Sequence, residues 1–233
     1  MKGRKRKGSS TKASIRPVPA FQNLRGEVGY AAESGGSVHI ALGSGGLNGA
    51  DVTSSLAGLD VIEALADAFV LYDNPPIITV GDPTMVPLTQ DILRRAYERH
   101  GLLKRYDPEY VRFVAPTPIA YAAGAANTVE TENVTANIMI GAYGSEVSLI
   151  ADAGARCNLP QSAAAFDLSA MGALYPATNR LAVGEDAYSA GAQMTRQRRY
   201  AISLQTQDIV RIFLVILIVG WALGELINSL ANW

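Results

Sequence analysis

The residues best placed to do chemistry form a glycine-rich stretch that follows the first predicted strand. It reads Gly43-Ser44-Gly45-Gly46-Leu47-Asn48-Gly49 and precedes a predicted helix. Such a turn can present backbone N–H groups to a phosphate. Its spacing, G-x-G-G-x-x-G, departs from the dinucleotide fingerprint, and no Walker lysine follows. The alternative is a flexible turn that allows a strand and a helix to approach closely.

Asp82 is the second candidate, because it follows the second predicted strand in the sequence Gly81-Asp82-Pro83-Thr84. Its carboxylate either binds a cation or forms a turn with Pro83 and caps the next helix. The acidic residue of a dinucleotide site is expected about 20 residues after the glycine turn, and Asp82 comes later than that. The predicted ligand-binding residues are therefore Gly43, Ser44, Gly45, Gly46, Gly49 and Asp82.

The remaining reactive side chains predict no catalytic residue, metal site or cofactor. Glu146 and Asp152 lie near the later predicted strands, but their spacing does not require them to face one another. The single Cys157 excludes an internal disulfide and suits a reducing compartment. His39 lies inside a predicted strand and His100 at a predicted helix end, so a zinc site is not expected. These residues favour a protein that is not an enzyme.

Short apolar runs alternate with helical patterns through the middle of the chain. Strands are predicted over 37–42, 77–80, 111–114, 136–141, 147–151 and 180–183, and helices over 56–72, 84–100, 117–129 and 161–175. This alternation predicts an α/β fold, with a mainly parallel sheet and helices on both faces. The two adjacent late strands predict a hairpin at 142–146 and hence one antiparallel pair.

The C-terminal residues predict one transmembrane helix. Thirteen residues from Ile212 to Gly224 carry no charge, and three arginines lie between Arg196 and Arg199. A helix over 209–231 supplies the roughly 20 residues that a bilayer requires, with the basic flank in the cytoplasm. The alternative is a buried C-terminal helix of a soluble fold. The predicted anchor contacts are Arg211, Gly220, Trp221, Gly224, Glu225 and Trp233.

These anchor residues have different expected roles. Gly220 and Gly224 are four residues apart, so they share a helix face on which another helix could approach closely. The alternative is that glycine is simply common in membrane helices. Arg211 can extend to the headgroups, and tryptophans suit the interface. Glu225 is costly in lipid, which favours an outer-interface position, a protonated form or a partner.

The N-terminal residues are strongly basic, although the whole 233-residue chain has a net charge of only −1. Met1–Arg16 contains seven lysines and arginines and no acid. This tail is either solvated or bound to anionic lipid headgroups. Nucleic acid is not an expected partner, because no aromatic residue is interleaved with the charges. No apolar signal-peptide segment follows them, so the domain is expected in the cytoplasm.

The predicted organisation has four parts: a basic flexible tail (1–24), a cytoplasmic α/β domain (25–195), a juxtamembrane segment (196–208) and a transmembrane anchor (209–231). The sequence from LGSGGLNGADV to IITVGDP, the helix containing Arg94-Arg95-Ala96-Tyr97, and the stretches VRFVAPTPIAYAAGAANTV and ANIMIGAYGSEVSLIADAGA resemble a bacterial membrane-protein family recorded only as a domain of unknown function. The resemblance spans roughly Arg25 to Leu230. It implies a membrane location and a shared α/β domain, and no catalytic residues.

Two functions remain open at this point. The first is a single-pass structural or scaffolding subunit of an oligomeric bacterial membrane assembly. Its expected partners are membrane lipids and either further copies of itself or other membrane-protein subunits. The second is an anion- or nucleotide-binding α/β domain that is tethered to the membrane and uses the Gly43–Gly49 turn.

Overall fold

The computed structural model describes residues 18–178, 180–188 and 213–221. The chain divides into two compact units, one over Pro17–Thr195 and one that combines Met1–Arg16 with Arg196–Trp233. The first unit contains the α/β domain. The described part of the second is a helical segment over residues 213–221.

Six parallel strands form the sheet of the α/β domain. In chain order they are β1 (Ser37–Gly43), β2 (Ile77–Val80), β3 (Val111–Phe113), β4 (Val134–Ala142), β5 (Gln161–Ala165) and β6 (Arg180–Val183). Their order across the sheet is β3-β2-β1-β4-β5-β6. The central strands are buried almost throughout, as expected for a parallel sheet that is covered on both faces.

Helices alternate with strands through the α/β domain, whereas the sequence predicts this alternation only as far as β4. The helices are α1 (Leu24–Ser34), α2 (Val52–Leu71), α3 (Met85–Arg99), α4 (Pro118–Thr131), α5 (Val147–Arg156), α6 (Leu168–Leu174) and α7 (Glu185–Tyr188). One apolar core joins α1, α2 and α3 to one face of the sheet, and a second joins α4, α5 and α6 to the other face. The prediction of an α/β fold with a mainly parallel sheet and helices on both faces is confirmed.

The predicted strand over 147–151 and the hairpin at 142–146 are wrong, because this segment starts helix α5. Its buried residues include Val147, Ile150, Ala151 and Gly154, which have the spacing of one helix face. A five-residue apolar run does not distinguish a strand from a buried helix turn. No pair of strands in the described sheet is antiparallel.

The predicted helix over 161–175 is two elements, strand β5 and helix α6. All five residues of β5 are buried, as in a strand with helices on both sides. Its Ser-Ala-Ala-Ala sequence has low β propensity, so only the tertiary environment makes it a strand. Asp167 then begins α6, since its carboxylate accepts a hydrogen bond from Ser169 N at 2.7 Å.

The predicted membrane helix over 209–231 is described only at residues 213–221, and the rest of it lies outside the described residues. Within the ranges that the structure describes, no helix combines the length and the apolar character needed to cross a bilayer. The predicted basic tail over 1–24 is described only from residue 18, and residues 1–17 lie outside the described residues.

Candidate functional site

The candidate site lies at the carboxyl ends of β1 and β4, which we call the β1–β4 edge. From β1 the chain proceeds outward to β2 and β3 on one side, and from β4 to β5 and β6 on the other. Ligands of doubly wound sheets bind where the strand order reverses in this way. The predicted glycine turn follows β1 directly and therefore lies at this edge.

Hydrogen bonds to two neighbouring strand ends hold the glycine turn. Ser44 N donates to Ala142 O at 3.1 Å, and Gly81 N donates to Gly43 O at 2.9 Å. Gly43 has a φ of +82°, and a Cβ atom there would lie 2.2 Å from Ala142 O. Both the backbone conformation and the contact therefore require glycine.

The next two glycines bring the turn against Asp82 and the start of α2. A Cβ atom on Gly46 would lie 2.4 Å from the carboxyl carbon of Asp82. One on Gly45 would lie 2.9 Å from Asp51 Cβ and 3.1 Å from Ser55 Oγ. The structure thus brings Gly43–Gly46 together with Asp82. Gly49, with a φ of +84°, has no neighbouring atom within 4 Å of its Cβ position.

Asp82 follows β2 after one intervening residue and closes the turn that leads into α3. Its Oδ1 atom accepts hydrogen bonds from Thr84 N at 2.8 Å and from the Thr84 hydroxyl. Asp82 comes late after the glycine turn because α2 is 20 residues long. An acid therefore does end the second strand, and the expectation based on sequence distance missed it. Counting from the strand end would have found it.

The carboxyl-terminal end of the whole sheet, which includes the β1–β4 edge, is acidic. The described loops after the six strands cover residues 44–51, 81–84, 114–117, 143–146, 166–167 and 184. They contain Asp51, Asp82, Glu146 and Asp167, and within these loops there is no lysine, arginine or histidine. A free anion at the turn would therefore meet carboxylates without a compensating cation from these loops.

Two buried tyrosines lie beneath the glycine turn, and sequence analysis did not identify them. Tyr121 of α4 accepts a hydrogen bond from Gly43 N at 3.1 Å and donates to Thr79 O at 3.1 Å. The Tyr143 ring lies 6.4 Å from the Tyr121 ring. Burial raises the pKa of both hydroxyls, that of Tyr143 strongly. The Tyr143 hydroxyl has no hydrogen-bond partner among the described residues.

A row of buried polar side chains crosses the sheet on the face covered by α4 and α5. His39 is paired in register with Asn137, and Asn137 with Gln161. Gln161 Nε2 donates to Ala151 O at 2.9 Å, so its Oε1 accepts from Asn137 Nδ2 at 3.1 Å. His39, Asn137 and Gln161 are polar residues in otherwise apolar strands. Polar residues in such strands could have indicated the row from the sequence.

This row fixes the tautomer of His39. Asn137 directs its Oδ1 atom at His39 Nδ1, 2.8 Å away, so Nδ1 carries the proton. Nε2 then accepts from the Thr79 hydroxyl at 3.0 Å. Burial lowers the pKa of His39 to about 4, which keeps the imidazole neutral. The row connects through Thr79 and Tyr121 to the amide of Gly43 at the candidate site.

The other reactive residues do not come together at this edge. Glu146 Oε1 accepts a hydrogen bond from Gly144 N at 2.8 Å, whereas Asp152 forms an ion pair with Arg156. Cys157 is exposed at the end of α5, and its Sγ atom lies 4.0 Å from Val129 O. Over the described residues, no three His, Cys, Asp or Glu side chains form a group that could hold a metal ion.

Two of the predicted anchor contacts, Gly220 and Trp221, lie in the helical segment 213–221. Trp221 is 74% exposed there. The other predicted contacts lie outside the described residues; they are Arg211, Gly224, Glu225 and Trp233.

The strand order and the glycine turn at its reversal define a doubly wound α/β protein with the strand order of dinucleotide-binding folds. The chain belongs to the family described as "Domain of unknown function (DUF6754)", which matches residues 4–232. Comparisons of this chain with the curated proteins and with the solved structures found no match.

Proposed function

We propose that this protein is a single-pass, membrane-anchored subunit with a cytoplasmic α/β domain, and that it serves as a scaffold in an oligomeric bacterial membrane assembly. The observation that carries the proposal is the apolar surface of residues 213–221. This helical segment reads FLVILIVGW, and its large side chains are between 49% and 74% exposed. An apolar surface all round a helix favours lipid or a protein interior over water.

The energy of burial explains why lipid is the proposed environment. Moving one large aliphatic or aromatic side chain out of water contributes about 1.5–3 kcal/mol. The segment 213–221 contains eight such side chains and no charged residue. The arginines between Arg196 and Arg199 supply the positive charge that is typical of a cytoplasmic flank. Gly220 and Gly224 are four residues apart in the sequence and would share one face of a continuous helix, a spacing that supports the oligomeric part of the proposal.

Alkaline carbonate extraction of membranes from cells that express the full chain tests the anchor. The unmodified protein is expected to stay in the membrane pellet and to be released by detergent. The double substitution Val215→Lys with Ile218→Lys is expected to release it, because a lysine near the helix centre costs about 2.5–3.5 kcal/mol.

A matched control places two lysines at exposed apolar positions of the α/β domain. Tyr30→Lys with Tyr175→Lys changes side chains that are 61% and 78% exposed, so this variant is expected to stay in the pellet. Release of the unmodified protein by carbonate would overturn the proposal.

A further inference from the structure

Asp82 occupies the position at which dinucleotide-binding folds keep the acid that binds a ribose. In those folds an acidic residue at the end of the second strand accepts hydrogen bonds from ribose hydroxyls. Asp82 follows β2 in the same way and lies against Gly46 of the glycine turn. Both carboxylate oxygens lie against the turn, Oδ2 at 2.5 Å and Oδ1 at 2.6 Å from the Cβ position of Gly46. Oδ1 also accepts the two bonds from Thr84, so Oδ2 is the oxygen that Thr84 does not use.

Two buried hydroxyls beside the same turn have no hydrogen-bond partner among the described residues. Ser55 is 0% exposed, and its Oγ atom lies 3.1 Å from the Cβ position of Gly45. The neighbouring Ser54, by contrast, donates to Asp51 O at 2.8 Å. Tyr143 is 6% exposed, and its ring lies 6.4 Å from the ring of Tyr121, whose hydroxyl accepts from the Gly43 amide. Buried polar groups are normally satisfied, so unpartnered hydroxyls at this edge point to a polar ligand.

The charges at the edge limit what that ligand can carry. In dinucleotide-binding folds, the pyrophosphate lies at the N-terminus of the helix that follows the glycine turn. Here Asp51 immediately precedes α2, and its Cβ lies 2.9 Å from the Cβ position of Gly45. A carboxylate at this helix end would oppose a phosphate.

We propose that the β1–β4 edge binds a nucleoside that carries no phosphate, with Asp82 accepting hydrogen bonds from its ribose hydroxyls and the glycine turn lying against the sugar. This proposal restricts the anion- or nucleotide-binding alternative to ligands that are neutral or positively charged. The proposal does not depend on the membrane anchor, because the carbonate extraction tests residues 213–221 and the ligand titration tests the β1–β4 edge.

Calorimetric titration of the detergent-solubilised full chain tests the site with adenosine as the probe. Adenosine is expected to bind, and 2′,3′-dideoxyadenosine is expected to bind at least about tenfold more weakly because it lacks the hydroxyls that Asp82 would hold. ADP is also expected to bind more weakly than adenosine, since its phosphates approach the carboxylates. Guanosine, cytidine and uridine are titrated in parallel to cover the other bases.

The substitution Asp82→Asn removes the charge but keeps an oxygen that can accept the two bonds from Thr84, because asparagine forms the same kind of turn as aspartate. It is expected to weaken adenosine binding about tenfold, since a hydrogen bond to a charged acceptor is stronger than one to a neutral acceptor. Asp167→Asn is the matched control. Asp167 follows β5 and caps α6 through Ser169 with the same bonding pattern, so binding is expected to be unchanged.

Three results would each overturn the proposal: no binding of any of the four ribonucleosides at about 1 mM, tighter binding of ADP than of adenosine, or equal affinity of the unmodified and Asp82→Asn proteins for adenosine.

Discussion

Burial keeps His39 neutral in the centre of the sheet. It is 0% exposed, and its two ring nitrogens are bonded to Asn137 and Thr79. Protonation would place a second proton on Nε2, which accepts from the Thr79 hydroxyl, and would bury a charge. Desolvation is the main cause of its lowered pKa, and the charges of Glu132 and Arg112 act in opposite directions.

This geometry predicts that stability falls as the solution is acidified. The pKa of His39 is about 4 in the folded chain, whereas an unfolded histidine has a pKa of about 6.5. The unfolded chain therefore binds more protons between these values. His39 makes its full contribution to the free energy of unfolding above pH 6.5. This contribution is lost as the pH falls towards 4, and the total loss is about 3 kcal/mol. Urea unfolding of the full chain in detergent at a series of pH values measures this loss.

The variant His39→Gln isolates the contribution, because carboxylates that titrate in the same range are common to both proteins. We expect the variant to lose the part of the pH dependence that lies between pH 6.5 and 4. His100→Gln is the control, since His100 lies at the end of α3 with a partly exposed side chain beside Asp67. An unchanged pH dependence in His39→Gln would show that the imidazole is not the group responsible.

At the scale of elements, helix α2 lies unusually close to the sheet at Gly58. A Cβ atom there would lie 2.8 Å from Leu42 Cδ2 of β1 and 2.9 Å from Ile140 O of β4. The backbone oxygen cannot move aside without disturbing the central strands. Glycine at this position therefore lets α2 pack across the two strands that end at the candidate site.

The close approach predicts opposite effects of alanine at two helical glycines. Gly58→Ala is expected to destabilise the fold by about 1–3 kcal/mol, because steric overlap outweighs the gain in helix propensity. Gly172→Ala in α6 is expected to stabilise it by about 0.5–1 kcal/mol. No atom lies within 4 Å of the Cβ position of Gly172. Urea unfolding of the two variants gives both values, and a stabilising Gly58→Ala would contradict the packing argument.

The sequence predicts some elements of the sheet correctly and assigns others to the wrong type. Apolar runs bounded by glycine and proline locate β1, β2 and β6, because local composition determines them. The error at α5 arises because its first turn, Val147–Ala151, contains too few residues for a helical period to be distinguished from a strand. Strand β5 is missed because its small residues become a strand only between β4 and β6.

The candidate site shows the same division between local and distant information. The glycine turn is evident in the sequence because its residues are contiguous. Asp82 is identified, but its place at the end of β2 is obscured by the length of α2. Tyr121, Tyr143 and Ser55 are missed because they reach the turn from different helices and loops. The strand order brings them together, and no local pattern contains that order.

At the scale of the whole molecule, the described charges of the α/β domain are distributed unevenly. Arginines at or near the ends of helices pair with acids, as in Arg99 with Asp67 and Arg156 with Glu130. Cations at these helix ends interact favourably with the negative end of the helix dipole. The loops after the strands, by contrast, carry acids without cations within their described residues. The two ends of the sheet therefore offer different chemistry to partners, and the acidic end contains the candidate site.

The proposed assembly depends on whether helices associate through Gly220. This residue lies in the exposed helical segment 213–221, and Gly224 would follow it on the same face of a continuous helix. Gly220→Ile is expected to shift the solubilised protein from an oligomer towards a monomer, because a branched side chain would separate the helix backbones. Light scattering coupled to size-exclusion chromatography in mild detergent measures the mass. Ala222→Ile is the control, since two residues correspond to about 200° around a helix. Loss of the oligomer in the control variant, or an unchanged mass in Gly220→Ile, would exclude this face as the contact.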